Sequence, residues 1–287
     1  MTNGNHKLTF SKMHGCGNDF IMLDGFNQQL PANLSDLAIR LCDRHFGIGA
    51  DGIITLTPAE GYDFRMTLYQ PDGSQAEMCG NGARCAALFA ARLSITQAGE
   101  LRMLTPAGLI RPTLLSADDE KNCGTVQVDM GLPHLKPQEI PCTLPGDQLL
   151  DCPVEVLGQQ FNFSAVSMGN PHAVIFIDTA PQDFPVATYG PLLEKHPIFP
   201  AKANIEFAHV QDKHNIRMRV WERGAGETLA CGTGACATAV AAILTGRAES
   251  PINLHLDGGT LQICWQPQQS VFMTGPAAFS FNGEVLL

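Results

Sequence analysis

The chain has 287 residues, of which 45% are apolar and 16% charged, and it contains 28 glycines and 19 prolines. This composition is typical of a globular protein with many turns, it excludes an intrinsically disordered chain, and the length suits two domains. The formal net charge of −10 and the lack of a basic cluster argue against nucleic acid and against an anionic membrane surface as partners.

We expect a cytoplasmic protein. Residues 1–12 lack the apolar stretch of a secretion signal. The longest apolar stretch, at 229–244, is interrupted by glycines and is shorter than the roughly 20 residues that a membrane span needs. The ten cysteines form no C-x-x-C pair and accompany no histidine cluster, so they predict neither a metal site nor a disulfide scaffold.

Alternation and turn residues predict the elements of the first half. A tight turn at 14–19 separates two strands, the region at 70–74 is a turn, and a helix begins at Gly80 and ends near Leu93. The polar stretch 116–122 is predicted to link two domains. The other predicted elements are a short helix at 35–41, strands at 8–13, 20–23, 53–56 and 64–69, and a strand–turn–strand unit at 101–110.

The second half repeats this order. A helix follows Cys231 and ends at Gly246, and the region 181–200 holds one short helix. Residues 277–287 are predicted to form a strand that returns to the first domain. The remaining predicted strands are 126–130, 161–166, 173–177 and 216–221. The chain is therefore predicted to be mostly strand with one principal helix in each half, an α+β protein.

An internal duplication explains the repeated order. The run Cys79-Gly80-Asn81-Gly82-Ala83 returns as Cys231-Gly232-Thr233-Gly234-Ala235, and the same shift of 152 positions places Asn18 on Asn170. The shift also aligns Gly52 with Asn204. We predict two pseudo-symmetric domains, residues 1–124 with 276–287 and residues 125–275, with the active site in the cleft between them.

Each repeated cysteine stands at a predicted helix start, where backbone N–H groups and the helix dipole favour negative charge and should lower the pKa of the thiol. The glycines after it allow a carboxylate to approach the N–H groups. Two facing thiols can remove a proton from a carbon and return one to its opposite face, which is inversion by general acid–base catalysis. The same pair could also oxidise reversibly to a disulfide. No cofactor motif is visible, so the expected cofactor is none.

Five stretches in order carry a resemblance to a known family. They are 12–20, 78–85, 167–172, 222–234 and 273–277, and they include both cysteine turns and both glycine–asparagine turns. In these stretches the sequence resembles diaminopimelate epimerase, over nearly the whole chain. The resemblance implies two similar domains, each a mainly antiparallel, β-barrel-like sheet around a central helix. It also implies cofactor-independent interconversion of LL- and meso-diaminopimelate in lysine and peptidoglycan-precursor synthesis, by a homodimer.

The resemblance also implies the site residues. Cys79 and Cys231 are the acid/base pair, and His172 and Glu222 support catalysis. The backbone of Gly80, Asn81, Gly232 and Thr233 holds the reacting carboxylate. Side chains that hold the substrate are Asn18, Gln70, Asn170, Asn204, Glu222 and Arg223. No metal is expected. The chain departs from family patterns at Gln70, at Gly52 and at Phe281, which replaces a tyrosine that some relatives use in the dimer contact.

Three other functions remain open at this point. A related two-thiol enzyme would racemise or epimerise a different amino acid, such as histidine or proline. A hydrolase or transferase would use one cysteine as the nucleophile with His172 or His14 as base. A non-enzymatic thiol switch would only form and break a disulfide. The last two leave the duplication of the cysteine turn unexplained.

Overall fold

The computed structural model describes residues 7–96 and 99–287, so residues 1–6 of the segment considered for a signal lie outside it. The chain forms two compact units, one of Met1–Val128 with Gly275–Leu287 and the other of Asp129–Thr274. The predicted limits assign residues 125–128 and Gly275 to the second domain, whereas in the structure they belong to the first unit. No helix in the described part of the chain is long and apolar enough to cross a membrane.

The first unit contains two helices and short strands in the predicted order. Its elements are β1 (Lys7–Gly15), β2 (Asn18–Asp24), α1 (Leu34–Cys42), β3 (Gly52–Thr57), β4 (Phe64–Tyr69), β5 (Gln75–Ala76), α2 (Gly80–Arg92), β6 (Gly99–Glu100), β7 (Met103–Thr105), β8 (Gly108–Ile110), β9 (Pro112–Asp118) and β10 (Cys123–Asp129), whose last residue belongs to the second unit. The Asn33 side chain caps α1 by accepting from the Asp36 N–H.

The second unit contains the same kinds of element and two short 3₁₀ helices, Pro137–Glu139 and Pro181–Asp183. Its other elements are β11 (Cys152–Val156), β12 (Gln159–Ser167), β13 (Pro171–Phe176), α3 (Val186–Glu194), β14 (Asn204–Asp212), β15 (Asn215–Glu222), β16 (Gly226–Thr228), α4 (Gly232–Leu244), β17 (Ile252–Leu256), β18 (Gly259–Cys264) and β19 (Phe272–Leu286), most of which lies in the first unit. Gly246, with φ +70°, follows the end of α4 as predicted.

One sequence prediction about the linker is wrong. Residues 116–122 do not join two domains, because Ser116–Asp118 continue β9 and the following residues turn back into β10. The two strands pair antiparallel, with Asp118 opposite Cys123. A polar, charged stretch suits the exposed turn of a hairpin as well as it suits a linker, and composition alone does not distinguish them.

Each unit is a mainly antiparallel sheet with two parallel pairs. In the first unit β2–β3 and β4–β7 are parallel, and in the second β13–β14 and β15–β17 are parallel. Most other pairs, among them β1–β2 and β12–β13, are antiparallel. The end of β19 pairs with β1, as predicted for the C-terminal strand.

A buried helix lies at the centre of each unit. All residues of α2 from Gly80 to Ala90 are buried, and the helix packs against β1, β2, β3, β4 and β9. In the second unit α4 packs against β12, β13, β14, β17 and β18. Alanine, glycine and cysteine dominate both helices, and these small side chains let strands approach from several sides. The predicted α+β class, with a sheet around a central helix in each half, is confirmed.

The strand registers confirm the duplication. Phe20 pairs with Gly52 in the first unit, and His172 pairs with Asn204 in the second, so both partners shift by 152. The first and last residues of α4 lie 152 positions after those of α2. The same offset relates α3 to α1, which was not recognised from the sequence. The glycine–asparagine turn is one residue longer in the second copy, where Ser167 faces Pro171.

Candidate active site

The two repeated cysteines stand at equivalent helix starts. Cys79 is the N-cap residue of α2, with φ −144° and ψ 114°, and Cys231 is that of α4, with φ −122° and ψ 111°. The carbonyl of each accepts the first helical hydrogen bond, from Ala83 at 2.8 Å and from Ala235 at 2.9 Å. Each thiol therefore lies beside the first backbone N–H groups of a helix, which have no intrahelical acceptor.

Asparagine side chains surround the Cys79 thiol in the first unit. The Gly82 N–H donates to Cys79 Sγ at 3.4 Å, and Asn18 Oδ1 lies 3.7 Å from the sulfur. The same Oδ1 accepts from Asn81 Nδ2 at 3.1 Å, while Asn18 Nδ2 donates to Asp51 Oδ2 at 2.6 Å. These bonds fix the Asn18 amide, so three predicted site residues of this unit come together.

Arg84 holds part of the Cys79–Asn18–Asn81 cluster in place. It is fully buried in α2, its Nη2 donates to Asn81 Oδ1 at 2.9 Å, and its Nε donates to the Pro276 carbonyl at 3.1 Å. The guanidinium therefore orients Asn81, whose Nδ2 in turn reaches Asn18. A charged residue inside an otherwise apolar helix is the sequence signal by which this role could have been found.

The surroundings of Cys231 are different, because two carboxylates, those of Glu222 and Glu206, lie near its thiol. Cys231 is 5% exposed, and its Sγ lies 3.5 Å from the Thr233 hydroxyl. Glu222 lies beside the same sulfur and also accepts a hydrogen bond from the Thr228 hydroxyl. The predicted residues Glu222, Cys231 and Thr233 therefore form one cluster.

Burial raises the pKa of Cys231 well above its usual value, and the Glu222 and Glu206 carboxylates add to the rise. The Thr233 hydroxyl and the Gly234 N–H act in the opposite direction but do not outweigh burial. Burial likewise raises the pKa of Glu222, against hydrogen bonds from Thr228 and Cys231. The prediction of a lowered thiol pKa is therefore wrong for Cys231.

His172 is completely buried between two partners. Its Nδ1 lies 2.6 Å from Glu206 Oε1, and its Nε2 lies 3.0 Å from Asn170 Oδ1. Both ring nitrogens of His172 are thus engaged. The predicted residues His172 and Asn170 are brought together, while Glu206 was not predicted.

Asn204 and Arg223 are joined at the end of β15. The Asn204 Oδ1 accepts from the Arg223 backbone N–H at 2.8 Å, and its Nδ2 donates to the Pro171 carbonyl at 2.9 Å. The Arg223 side chain is exposed, with Nη1 donating to the Ala201 carbonyl at 3.2 Å. Asn204 thus holds the backbone of Arg223 at the turn that follows β15. The Arg223 guanidinium extends from this turn and is largely exposed to solvent.

The first-unit counterparts of Glu222 and Asn204 are Gln70 and Gly52, at the same 152-residue shift. Gln70 is exposed in a turn, where its N–H donates to the Ser74 carbonyl at 2.8 Å. A Cβ at Gly52 would lie 2.6 Å from Leu68 Cδ1 and 2.9 Å from the Tyr69 carbonyl oxygen. The backbone contact explains why this position has no side chain here.

Sequence reasoning missed three residues that hold site side chains in place: Asp51, Arg84 and Glu206. The repeat alignment offered a signal for Glu206, because the shift places this charged residue on Ile54 within an apolar strand. Among residues 7–96 and 99–287, no three histidine, cysteine or acidic side chains come together in a way that could hold a metal ion.

The sequence model of the protein family described as Diaminopimelate epimerase matches residues 10–136 and 164–280. The chain belongs to this family. The Diaminopimelate epimerase of Moorella thermoacetica is 48% identical over 278 residues, which cover 96% of this chain and 99% of that one. The Diaminopimelate epimerase of Carboxydothermus hydrogenoformans is 49% identical, over 98% of this chain and 100% of that one. The predicted resemblance is confirmed, and with it the enzyme class, an isomerase.

Solved structures of distant sequence share the fold. A Bacillus anthracis phenazine biosynthesis protein of the PhzF family superposes with a TM-score of 0.71 at 13% identity, over 98% of this chain and 100% of that one. At this identity the likeness supports the architecture and nothing about the reaction. The diaminopimelate epimerase family assignment rests on the sequence relatives.

Proposed function

We propose that the protein epimerises LL-diaminopimelate to meso-diaminopimelate without a cofactor, using Cys79 and Cys231 as its two acid/base residues. The observation that carries the proposal is the equivalence of the two cysteines, each the N-cap residue of the central helix of one unit. Membership of the diaminopimelate epimerase family supports the choice of substrate. A single-cysteine reaction would need only one such helix start.

Inversion requires one thiolate and one thiol at the start of the reaction. Because burial and two carboxylates raise the pKa of Cys231, this residue holds a proton in the resting protein. Cys231 is then the proton donor and Cys79, as the thiolate, is the base in the direction of reaction that starts from this protonation state. For the reverse direction Glu222, which lies beside the Cys231 thiol, takes up that proton.

The substrate α-carboxylate is bound by backbone N–H groups. We assign this role to Gly80 and Asn81 at the start of α2 and to Gly232 and Thr233 at the start of α4. The first N–H groups of a helix lack intrahelical acceptors and lie at the positive end of the helix dipole. As the carbanion forms, charge spreads onto the carboxylate, so these donors stabilise the transition state more than the ground state.

Polar side chains hold the rest of the substrate. Asn18 and Asn170 follow equivalent turns, and Asn204 fixes the backbone of Arg223. We assign the distal carboxylate to the Arg223 guanidinium, which can bind a carboxylate with two parallel hydrogen bonds. Gln70 occupies the position that corresponds to Glu222 and serves as a further amide contact.

A cysteine nucleophile with a histidine base is less well supported. Both ring nitrogens of His172 face Glu206 and Asn170, and His14 Nδ1 accepts from the Gly17 N–H at 3.4 Å. These contacts favour a role for His172 in supporting Asn170 over the deprotonation of a thiol. We assign it a supporting role in the epimerisation.

The proposed setting is a cytoplasmic enzyme of lysine and peptidoglycan-precursor synthesis that acts as a homodimer and binds no nucleic acid. The net charge of −10 supports the last point. Phe281, at the predicted dimer contact, is 51% exposed and packs edge-on against Phe10 at 6.0 Å between ring centres. An exposed phenylalanine at this position supports its use in association.

Proton NMR of the reduced protein with LL-diaminopimelate in deuterium oxide tests the function. We expect the Cα–H signal to disappear while the meso isomer forms, and we expect Cys79→Ala and Cys231→Ala each to stop isomer formation. Histidine and proline serve as parallel substrates under the same conditions. Inversion of either one in preference to diaminopimelate would overturn the substrate assignment and retain the epimerase class.

A further inference from the structure

Glu206 on β14 is a buried carboxylate with an unusual environment. Its side chain is 0% exposed, and its Oε1 lies 2.6 Å from His172 Nδ1. Its Oε2 is buried and has no hydrogen-bond partner within the part of the chain described. Burying an unpartnered carboxylate oxygen lowers stability, so such a group calls for a reason other than folding.

The first unit shows that the fold does not need this carboxylate. The residues that correspond to His172 and Glu206 are Phe20 and Ile54, both buried. They occupy the same register positions, since Phe20 pairs with Gly52 as His172 pairs with Asn204. One sheet therefore builds this layer from apolar side chains and the other from an ion-forming pair.

Gly234 makes room for the carboxylate. A Cβ at this position would lie 2.6 Å from Glu206 Oε1 and 3.3 Å from Cys231 Sγ. The carboxylate thus lies directly beneath the start of α4, close to the residue that we propose as a proton donor. At the equivalent place in the first unit, the nearest atom to a Cβ at Gly82 is the Ile54 Cδ1 methyl, at 2.9 Å.

The hydrogen bonds continue from Glu206 to Asn170. Asn170 Oδ1 only accepts, so His172 Nε2 must carry a proton to bond it at 3.0 Å. The Nδ1–Oε1 contact at 2.6 Å then holds one more proton, shared between the imidazole and the carboxylate. With Oδ1 engaged in this way, Asn170 presents its Nδ2 donor to a ligand.

We propose that Glu206 is a positioning residue of the diaminopimelate site: through His172 it fixes the Asn170 amide with Nδ2 directed to a substrate acceptor. The inference rests on the proposed function for the identity of the substrate and deepens it. In the first unit, Asp51 and Asn81 orient the Asn18 amide instead. The two halves thus orient equivalent asparagines by different means.

Steady-state kinetics of Glu206→Leu and Glu206→Gln test the role. Leucine removes the bond to Nδ1, and we expect kcat/KM to fall roughly tenfold to a hundredfold, chiefly through KM, because the Asn170 amide is no longer fixed. Glutamine can donate to Nδ1 and keep Nε2 protonated, so we expect it to stay within about tenfold of the native value. Ile54→Val, at the equivalent position of the first unit, is the control and should leave both parameters nearly unchanged.

A double-variant cycle separates positioning from a general structural effect. If Glu206 acts through Asn170, Asn170→Ala/Glu206→Leu should be within about twofold of Asn170→Ala alone. If the losses in kcat/KM of the two single variants instead multiply in the double variant, the two residues act independently and the proposal is overturned.

Nitrogen-15 NMR of the histidines in the substrate-free protein gives a readout that needs no turnover. We expect His172 Nε2 to carry the proton that bonds Asn170 and Nδ1 to show the hydrogen bond to Glu206, and we expect Glu206→Leu to remove the signature of the Nδ1 bond. Unchanged His172 signals in Glu206→Leu would overturn the positioning role even if the enzyme is active. Expected NMR changes in a protein that does not invert diaminopimelate would instead contradict only the proposed function.

Discussion

Ile54 and Glu206 occupy the same position in the two copies of the fold, beneath the second glycine of the cysteine turn. Ile54 places its Cδ1 methyl group 2.9 Å from the position that a Cβ at Gly82 would take. Glu206 places a carboxylate oxygen 2.6 Å from the position that a Cβ at Gly234 would take. Both side chains are 0% exposed. The duplicated scaffold therefore carries two chemically unequal halves, with amides around Cys79 and carboxylates around Cys231. The proposed two-base inversion requires one thiol to be charged when the other is not, and the unequal surroundings favour such a difference.

Replacing the buried pair by its first-unit counterpart should separate stability from activity. For His172→Phe/Glu206→Ile we expect a free energy of unfolding that is unchanged or higher by about 1–4 kcal/mol, because a buried ion pair contributes less than well-packed apolar side chains. Epimerisation should nevertheless be strongly reduced. Denaturant unfolding and turnover of the same samples check this. A clear loss of stability would show that the pair is needed for folding.

Glu222 should make stability depend on pH. Burial raises its pKa in the folded protein, above the value of about 4.3 expected in the unfolded chain. The protonated form is therefore favoured by folding, and its contribution is complete below pH ~4.3 and is lost as pH rises through the raised pKa. Melting temperatures of native protein and Glu222→Gln across this range should diverge toward higher pH, with the variant more stable. Glu155→Gln, an exposed carboxylate of β11, is the control, and parallel curves for Glu222→Gln would contradict the assignment.

Thiol alkylation should distinguish the two cysteines. In reduced, substrate-free protein we expect iodoacetamide to modify half-buried Cys79 faster than Cys231, which is 5% exposed and has a raised pKa. Glu222→Gln removes a carboxylate beside Cys231 and should shift the pH profile of its modification to lower pH. Peptide mapping by mass spectrometry follows each site, with Cys152 of the same unit as the reference. An unshifted Cys231 profile would exclude Glu222 as a source of the raised pKa.

Two matched glycine substitutions test the packing beneath the turns. In Gly234→Ala the new methyl meets the Glu206 carboxylate and the Cys231 side chain, so we expect a large loss of activity and a stability cost of about 1–3 kcal/mol. In Gly82→Ala it meets the ends of Ile54 and Met66 side chains, which can move. Gly82→Ala should therefore be the milder variant in both measurements, and the reverse order would contradict the described contacts.

Local patterns predicted most of the elements, because alternation, caps and glycine turns agree with the final fold at these places. The helix that starts at Gly80 and the strand Phe64–Tyr69 are found where the sequence placed them. The prediction for segment 116–122 failed, because polar composition does not reveal whether the strands on either side of a turn pair with each other. The strand registers were available only from the structure, and so was the equivalence of α1 and α3, whose bounds lie 152 positions apart.

The candidate site was predictable as far as the duplicated turns and the family resemblance reached. Cys79, Asn18 and Asn81 come together in the first unit, and Cys231, Glu222 and Thr233 in the second. The pKa of Cys231 was not predictable, because helix position favours the thiolate whereas burial and two carboxylates, which depend on packing, oppose it. Supporting residues such as Asp51 and Glu206 were missed because their partners, Asn18 and His172, are distant in sequence.

The position of deuterium after early turnover in deuterium oxide tests the two-base account most directly. With LL-diaminopimelate, two separate thiols predict that newly formed meso product carries deuterium at the inverted carbon while recovered substrate keeps its proton. The first thiol holds the abstracted proton, and the second delivers one that has exchanged with solvent. Product that retains the original proton would mean that one base serves both faces, and it would contradict the assignment of Cys79 and Cys231 as an acid/base pair.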